Sequence, residues 1–226
     1  GKGQRCIASY LQGLLPEQPL HEAASHPWTA RLAGHAGGLL AELREGGPEL
    51  WEIPWAAEGT PTWRAITLVR QGVWMAGDRF KKTRSALSTL QDLRPYEISF
   101  VWIPPHTMMK HKANANFVLT AHLVLELTSG VGNLCAGEWM HELRSGDVVV
   151  FDPTYVHYAA NNSGADCYLL ACHFYHPLVN EMERYSLLFL AALMDCLQSR
   201  YADLFSAASL APAAGVDLLR MLRYAA

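Results

Sequence analysis

The stretch FVLTAHLVLEL, residues 117–127, alternates two sets of side chains. The first set is wholly apolar and comprises Phe117, Leu119, Ala121, Leu123, Leu125 and Leu127. The second set places Thr120, His122 and Glu126 among valines. Because successive side chains of a strand point to opposite faces, the stretch predicts a β-strand with one core face and one face that lines a pocket.

Further runs rich in β-branched and aromatic residues flank this stretch and are separated by turn residues such as Ser145-Gly146. These predicted strands are RAITLVR (64–70), YEISFVWI (96–103), DVVVF (147–151), YVHYA (155–159) and CYLLACHFY (167–175). Many short strands at this spacing predict a mainly β protein. The expected fold is a double-stranded β-helix of the jelly-roll or cupin type.

Helical patterns occupy both ends of the chain. Residues 5–15 and 28–45 predict two helices before a loop at 47–62, and residues 179–207 and 214–224 predict two more after Pro177. We therefore divide the chain into an N-terminal helical flank (1–62), a metal-binding β-domain (63–178) and C-terminal helices (179–226). The C-terminal helices are expected to pack on the barrel or to form a homodimer.

Composition excludes several classes of function. Of the 226 residues, 50% are hydrophobic and 17% are charged, and the net charge is −3. We expect a folded protein without a nucleic-acid or membrane partner, because the chain has neither a broad basic surface nor an apolar run of bilayer length. The small basic cluster Lys81, Lys82 and Arg84 predicts a solvated turn. Five scattered cysteines without a C-x-x-C pair favour a reducing, cytoplasmic location.

Seven of the ten histidines lie between residues 106 and 176. His111 precedes the strand at 117–127, and His157 lies near a later one. Jelly-roll folds commonly build a metal site from such well-separated strands, and a neutral imidazole suits iron, copper, nickel and zinc. The spacing therefore predicts a mononuclear metal centre.

Three segments together resemble the aspartyl/asparaginyl β-hydroxylases, which are non-haem Fe(II), 2-oxoglutarate-dependent oxygenases with a double-stranded β-helix fold. They are HKANANFVLTAHLVL (111–125), GDVVVFDPTYVHYAANNS (146–163) and CYLLACHFYHP (167–177). The resemblance extends from HPW (26–28) to HPL (176–178) and includes WRAITLVRQG (63–72). Its most specific element is FD-x-x-x-x-H at 151–157, which is followed 19 residues later by His176-Pro177.

The resemblance implies a role for each matching residue. His111 and His157 match the family's two iron ligands, and the family, like this chain at Ala113, lacks the usual carboxylate ligand two residues after the first histidine. His122 matches the histidine beside the metal that contacts 2-oxoglutarate, and we expect it to act as a third ligand or catalytic group. Asp152 matches the aspartate of the FD pair, which either orients a ligand from behind or caps the turn before Pro153.

The chain departs from the family where the co-substrate is held. The residues at the positions of the family's two arginines and one serine are Cys167, Thr120 and Phe100, and residues 150–180 contain no Lys or Arg. A buried dicarboxylate needs cationic partners, so these changes predict that 2-oxoglutarate is not used. Phe100 is expected to block the space, and with Trp102 and Tyr155 to give the pocket an apolar lining.

His173 replaces a family aspartate and is expected to line the pocket mouth as a catalytic group or an alternative third ligand. The predicted function is a non-haem oxygenase or oxidase that uses Fe(II), or alternatively copper, to oxidise a small organic molecule with O2. The alternatives are a 2-oxoglutarate-dependent hydroxylase with unusual anchors and a non-catalytic binding module of the same fold.

Overall fold

The protein is described by a computed structural model, which covers residues 9–15, 17–52, 63–111, 115–128 and 132–200. The strands are β1 (Leu20–His21), β2 (Arg64–Arg70), β3 (Val73–Trp74), β4 (Pro95–Ile103), β5 (Thr107–His111), β6 (Val118–Glu126), β7 (Gly132–Ala136), β8 (Trp139–Glu142), β9 (Val148–Phe151), β10 (His157–Asn161) and β11 (Cys167–Tyr175). The α-helices are α1 (Trp28–Gly34), α2 (Ala36–Gly46), α3 (Lys81–Ser88) and α4 (Glu181–Arg200).

These strands form two antiparallel sheets. The larger sheet has the order β1-β9-β6-β11-β4-β2-β3, and the smaller sheet has the order β5-β10-β7-β8. Side chains from both sheets pack into one apolar cluster between them, which includes Val101, Val124, Leu134, Ala159 and Leu169. The predicted jelly-roll of the double-stranded β-helix type is confirmed. The space between the sheets is called the barrel interior below.

The two faces of β6 lie in different layers of the molecule. Leu119, Ala121 and Leu123 belong to a cluster that contains residues of α1 and α2, whereas Val124 belongs to the cluster in the barrel interior. Each of these four side chains is buried. Residues 119–123 of the apolar set thus cover the helical side, and His122 and Val124 face the barrel interior. A register shift beside residue 125 reverses the faces, so that Glu126 contacts Arg44 of α2 and Leu127 belongs to the interior cluster.

Most strands lie close to their predicted positions. The last one is observed over the predicted residues 167–175, whereas β10 begins two residues later than predicted because residues 152–156 form a turn. The strands β1, β3, β5, β7 and β8 were not predicted. The predicted helix 28–45 is interrupted at His35, beside Gly34, and forms two helices. The predicted helix 179–207 is observed as α4 up to Arg200, while 214–224 lies outside the described residues.

The helix predicted at 5–15 is wrong over its described part, residues 9–15. Ser9 forms an isolated bridge with Ala115, and Gly13 has a positive φ of 89°. The side chain of Asn116 accepts a hydrogen bond from the Leu11 N–H at 2.7 Å and donates one to the Leu11 carbonyl at 2.8 Å. These long-range bonds satisfy the backbone groups that a helix would have paired locally.

The basic cluster at residues 81–84 forms the start of α3 rather than a turn. The α3 N-terminus receives its capping contacts from Glu42 on α2, whose carboxylate accepts bonds from the Lys82 N–H at 2.8 Å and the Thr83 N–H at 2.7 Å. The Thr83 hydroxyl donates a third bond to the same carboxylate at 2.7 Å. A carboxylate here satisfies exposed amide donors and complements the helix dipole.

Replacing Glu42 with alanine is expected to lower the free energy of unfolding by about 1–2 kcal/mol, because the α3 amides lose their acceptor. Urea unfolding monitored by circular dichroism measures the change. Glu45→Ala removes an exposed carboxylate from the same helix and serves as the control, with little expected effect. Equal losses in the two variants would contradict the capping role of Glu42.

No helix in the described part of the chain combines the length and apolar character that a membrane span requires.

Candidate metal centre

The two predicted metal ligands lie opposite one another in the smaller sheet. β10 pairs with β5 so that His157 is the direct partner of His111, and two residues along each strand Ala159 is the partner of Met109. Ala159 and Met109 are both buried in the barrel interior. Directly opposed residues share one face of an antiparallel pair, so the register places positions 111 and 157 together on the interior face.

The surroundings of His157 hold its ring in one tautomer. The side chain is 3% exposed, and Nδ1 lies 2.8 Å from the Tyr155 carbonyl oxygen. A carbonyl can only accept, so Nδ1 carries the proton, which leaves Nε2 with its lone pair. Burial lowers the pKa of His157, although backbone hydrogen bonds with Tyr155 and Pro153 oppose this effect. A neutral imidazole whose far nitrogen donates to a carbonyl is typical of metal-binding histidines.

His122 approaches this region from the larger sheet. It is 2% exposed and is the register partner of Val149 on β9 and Ala171 on β11. The Phe151 ring lies between the sheets, with its centroid 5.0 Å from both the His122 ring and the His157 ring. Phe151 is fully buried, and both imidazoles beside it are buried as well.

Among the residues whose side chains are described, no set of three or more His, Cys, Asp or Glu groups is arranged to hold a metal. The structure describes only the backbone of His111, so its side chain is not among these residues. His122 as a third ligand therefore stays a prediction.

His173 lies further along the barrel. Its Nδ1 is 2.8 Å from the Thr120 hydroxyl, and the two residues are register partners across β11 and β6. On its other side His173 is the register partner of Glu97 on β4, and Thr120 is the partner of Phe151. The predicted co-substrate position Thr120 is fully buried and carries a hydrogen bond to His173 instead of a cation.

The sequence did not lead us to predict a role in the site for two polar residues near this region. Ser99 is the register partner of Ala171, which in turn pairs with His122, and Glu97 pairs with His173. Burial raises the pKa of Glu97, although nearby Arg70 opposes this effect. The signal was present in YEISFVWI, where Glu97 and Ser99 alternate with Ile98 and Phe100.

The expected block by Phe100 is wrong, because its side chain lies on the other face of β4. Phe100 is fully buried in the cluster that contains α1 and α2 residues, and its ring packs edge-on against Phe80 at 5.4 Å. Trp102 shares that face and contacts Trp51 at 6.1 Å. The interior-facing residues of this strand include Val101 and Ile103, so Phe100 and Trp102 do not line the pocket.

Cys167 does face the barrel interior, where the family has a co-substrate arginine. It is 1% exposed and belongs to the interior cluster with Ile103 and Leu169. Burial, together with the negative charges of Glu126 and Asp166, raises the pKa of its thiol to about 12. The position is therefore apolar and the charges that act on its thiol are negative, which is the opposite of what a bound carboxylate requires.

Asp152 belongs to the turn that precedes His157. Its Oδ1 accepts bonds from the Thr154 N–H at 2.9 Å and the Thr154 hydroxyl at 2.6 Å. The ring nitrogen of His157 is instead held by the Tyr155 carbonyl. Of the two roles left open by the sequence, these contacts correspond to the turn cap, which fixes the segment that presents the Tyr155 carbonyl.

Three other histidines gather on the far side of this turn. His21, His26 and His176 are 5–7% exposed, and the His21 ring lies 6.4 Å from that of His26 and 6.2 Å from that of His176. Burial is the main cause that lowers the pKa of each, and it brings His176 to about 4. The carboxylate of Asp152 acts in the opposite direction on His21 and His176. We call these three residues the histidine cluster.

The family model for aspartyl/asparaginyl β-hydroxylases matches residues 40–177. The chain belongs to the aspartyl/asparaginyl β-hydroxylase family. The match covers β2 to β11 and therefore both predicted metal ligands, the FD-x-x-x-x-H segment and the HP pair. A hydroxylase-type oxidoreductase domain follows from this membership, and the family generally implies Fe(II).

Several solved structures are similar to the chain. A prolyl-4-hydroxylase from Pseudomonas putida is 19% identical, with 64% of this chain and 87% of that chain covered and a TM-score of 0.42. A Cupin_2 domain of an XRE-family transcriptional regulator from Enterobacter cloacae is 13% identical, with coverages of 50% and 96% and a TM-score of 0.36. A predicted oxalate decarboxylase from Thermotoga maritima is 15% identical, with coverages of 55% and 99% and a TM-score of 0.34. No curated protein matches the chain.

Proposed function

We propose that this family member is a metal-dependent oxygenase or oxidase that oxidises a small organic molecule with O2 and does not use 2-oxoglutarate. Fe(II), or alternatively copper, would be held by His111 and His157, with His122 as the candidate third ligand. When bound there, such a metal supplies one-electron chemistry with O2. The electrons that 2-oxoglutarate provides in ordinary hydroxylases would come from the substrate.

The residues of the centre fit a divalent metal. His157 is buried and neutral, and the Tyr155 carbonyl takes its Nδ1 proton, so that Nε2 is the ligating atom. Phe151 contacts the rings of both His122 and His157 and places an apolar surface between them. The protein thus supplies a neutral His157, a defined orientation of its ring and an apolar surface beside it.

The observation that carries the independence from 2-oxoglutarate is the environment of Cys167. Ile103 and Leu169 surround it, and Glu126 and Asp166 are the charges that act on it. Arg44 pairs with Glu126 through two 2.7 Å contacts outside this apolar cluster and is therefore already engaged. A dicarboxylate with one end at Cys167 would lose its hydration without gaining a cation.

The side chains toward the other end of the barrel support a substrate with polar groups. Thr120 and His173 are hydrogen bonded there, and Glu97 lies next to His173 in register. This polar row replaces the apolar lining expected from Phe100 and Trp102. This row lies two residues along each strand from the row that holds Ser99 and His122. It could bind hydroxyl or amino groups of a small molecule.

The test is a direct measurement with 2-oxoglutarate on the Fe(II)-loaded protein. We expect no rise in melting temperature at millimolar 2-oxoglutarate and no succinate above a protein-free control, because a useful ligand stabilises the folded state. O2 consumption with candidate substrates should proceed equally with and without 2-oxoglutarate. Saturable stabilisation together with succinate formation would return the chain to the ordinary hydroxylases.

Arginine at position 167 is not expected to restore co-substrate binding. The guanidinium of Cys167→Arg would lie among Ile103 and Leu169, and burying it there should lower stability. Cys167→Ser keeps the volume without the charge and is the matched control. Stabilisation of Cys167→Arg, but not of Cys167→Ser, by 2-oxoglutarate would show that the missing cation alone explains the difference from the family.

A further inference from the structure

The helix α4 has one packed side and one exposed apolar side. Leu187 and Leu188 pack against the cluster formed by Leu14, Tyr175 and Val179. On the opposite side Met182, Tyr185 and Phe189 are 75%, 60% and 64% exposed. Large apolar side chains grouped in this way are uncommon on a monomer surface and are typical of an interaction site.

The exposed side of α4 follows a heptad. Its residues are separated by alternate steps of three and four and are Met182, Tyr185, Phe189, Ala192 and Cys196. Ala192 and Cys196 are exposed, like the three larger residues. This spacing is the seam of a coiled coil, in which both positions of each heptad face a partner helix. We call these five residues the α4 seam.

We infer that the α4 seam binds the α4 seam of a second copy of this chain in antiparallel orientation. The seam is bulky in its first half and small in its second. Met182, Phe189 and Cys196 are the a positions of this heptad, and Tyr185 and Ala192 are the d positions. When each a position lies opposite a d position of an antiparallel partner, Phe189 lies opposite Ala192 of the other copy and Tyr185 lies opposite its Cys196. A parallel pair would place large beside large and small beside small, which leaves voids at one end.

Charge also favours this orientation. The first turn of α4 carries Glu181 and Glu183. In the antiparallel pair the acidic first turns of the two copies lie at opposite ends, and the two helix dipoles oppose one another. A parallel pair would instead bring the acidic first turns of both copies together.

The first test measures the oligomeric state of the full chain. Light scattering after size exclusion at 20–100 µM (roughly the range in which interfaces of low micromolar affinity are occupied) should show a dimer. Phe189→Asp is expected to weaken the dimer at least tenfold, because it places a charge in the centre of the seam. The control Met140→Asp changes a side chain that is 65% exposed on β8 and should remain dimeric.

Circular dichroism and the melting temperature of Phe189→Asp show whether the variant still folds. A second variant, Tyr185→Glu, tests the same seam from another layer and should give the same monomer. The inference would be overturned if the unsubstituted protein were monomeric at these concentrations. A monomer is also the result expected if residues 201–226 cover the seam within the same chain. Dimers that persist in both variants would also overturn it.

A crosslinking experiment tests the orientation. Met182 and Ser199 of the other copy share a layer only in the antiparallel pair, and a disulfide forms only when the two Cα atoms lie within about 7 Å. In a Cys196→Ser background, the double variant Met182→Cys/Ser199→Cys should give a covalent dimer on mild oxidation. Each single variant should not. Crosslinked single variants would indicate a parallel pair and contradict the proposed orientation.

Discussion

His157→Ala and His111→Ala should each abolish stoichiometric binding of iron or copper and leave the fold intact. The two residues are direct partners across β10 and β5, which is the placement that a shared metal requires. Removing either imidazole takes away a metal bond and leaves the remaining ligand with too few partners, so we expect occupancy below about 0.1 equivalents. Metal analysis after reconstitution and desalting measures this directly.

The control for the metal experiment is His141→Ala on β8, a partly exposed histidine 3.7 Å from Asp147. It should keep the metal content of the unsubstituted protein. Circular dichroism should show an intact fold for all variants, because the two large apolar clusters contain none of the substituted histidines. Full occupancy in either His157→Ala or His111→Ala would remove these residues as ligands.

The second large effect is a loss of stability in mild acid that arises from the histidine cluster. Burial lowers the pKa values of His21, His26 and His176 below their unfolded value of 6.5, and that of His176 to about 4. Below pH 6.5 the unfolded chain therefore binds protons that the folded protein does not accept. The stabilisation is complete above pH 6.5 and is lost as the pH falls toward the folded pKa values.

The size of this loss follows from the shift. For His176 alone, a lowering from 6.5 to about 4 corresponds to roughly 3 kcal/mol of unfolding free energy. Urea unfolding at several pH values between 7.5 and 4.5 should reveal it. The variant His176→Asn keeps an acceptor for the Leu178 N–H, which bonds to Nδ1 at 3.2 Å, but cannot be protonated in this range.

The comparison between variants separates this effect from the general loss of carboxylate interactions in acid. His176→Asn should lose less stability than the unsubstituted protein between pH 7 and 4.5, even if it starts from a lower value. His35→Gln removes a partly exposed histidine outside the cluster and should follow the unsubstituted protein. Parallel pH curves for all three proteins would show that the cluster does not control acid stability.

Six strands of the barrel could be predicted because their information is local. The alternation in FVLTAHLVLEL identified both faces of β6 from Leu119 to Val124, and the run CYLLACHFY matched β11 residue for residue. The FD-x-x-x-x-H and HP segments were sufficient to identify the family that the family model matches at 40–177. The helix at 5–15 was the local prediction that failed, since the bonds that decide residue 11 come from Asn116.

Which face of each strand lines the barrel was decided by the tertiary structure. Both faces of β4 are buried, one under helices and one against the smaller sheet, so the apolar side chains Phe100 and Val101 give no local sign of their direction. The resemblance to the family placed Phe100 at the position of the co-substrate serine, and the local pattern gave no reason to choose the neighbouring Ser99 instead. Likewise, the histidine cluster joins residues from β1, the segment before α1 and the end of β11. By itself the sequence determined six of the strands, the family and the two ligand candidates. The common face of those candidates, the histidine cluster and the environment of Cys167 depended on contacts between distant segments, which no local pattern encodes.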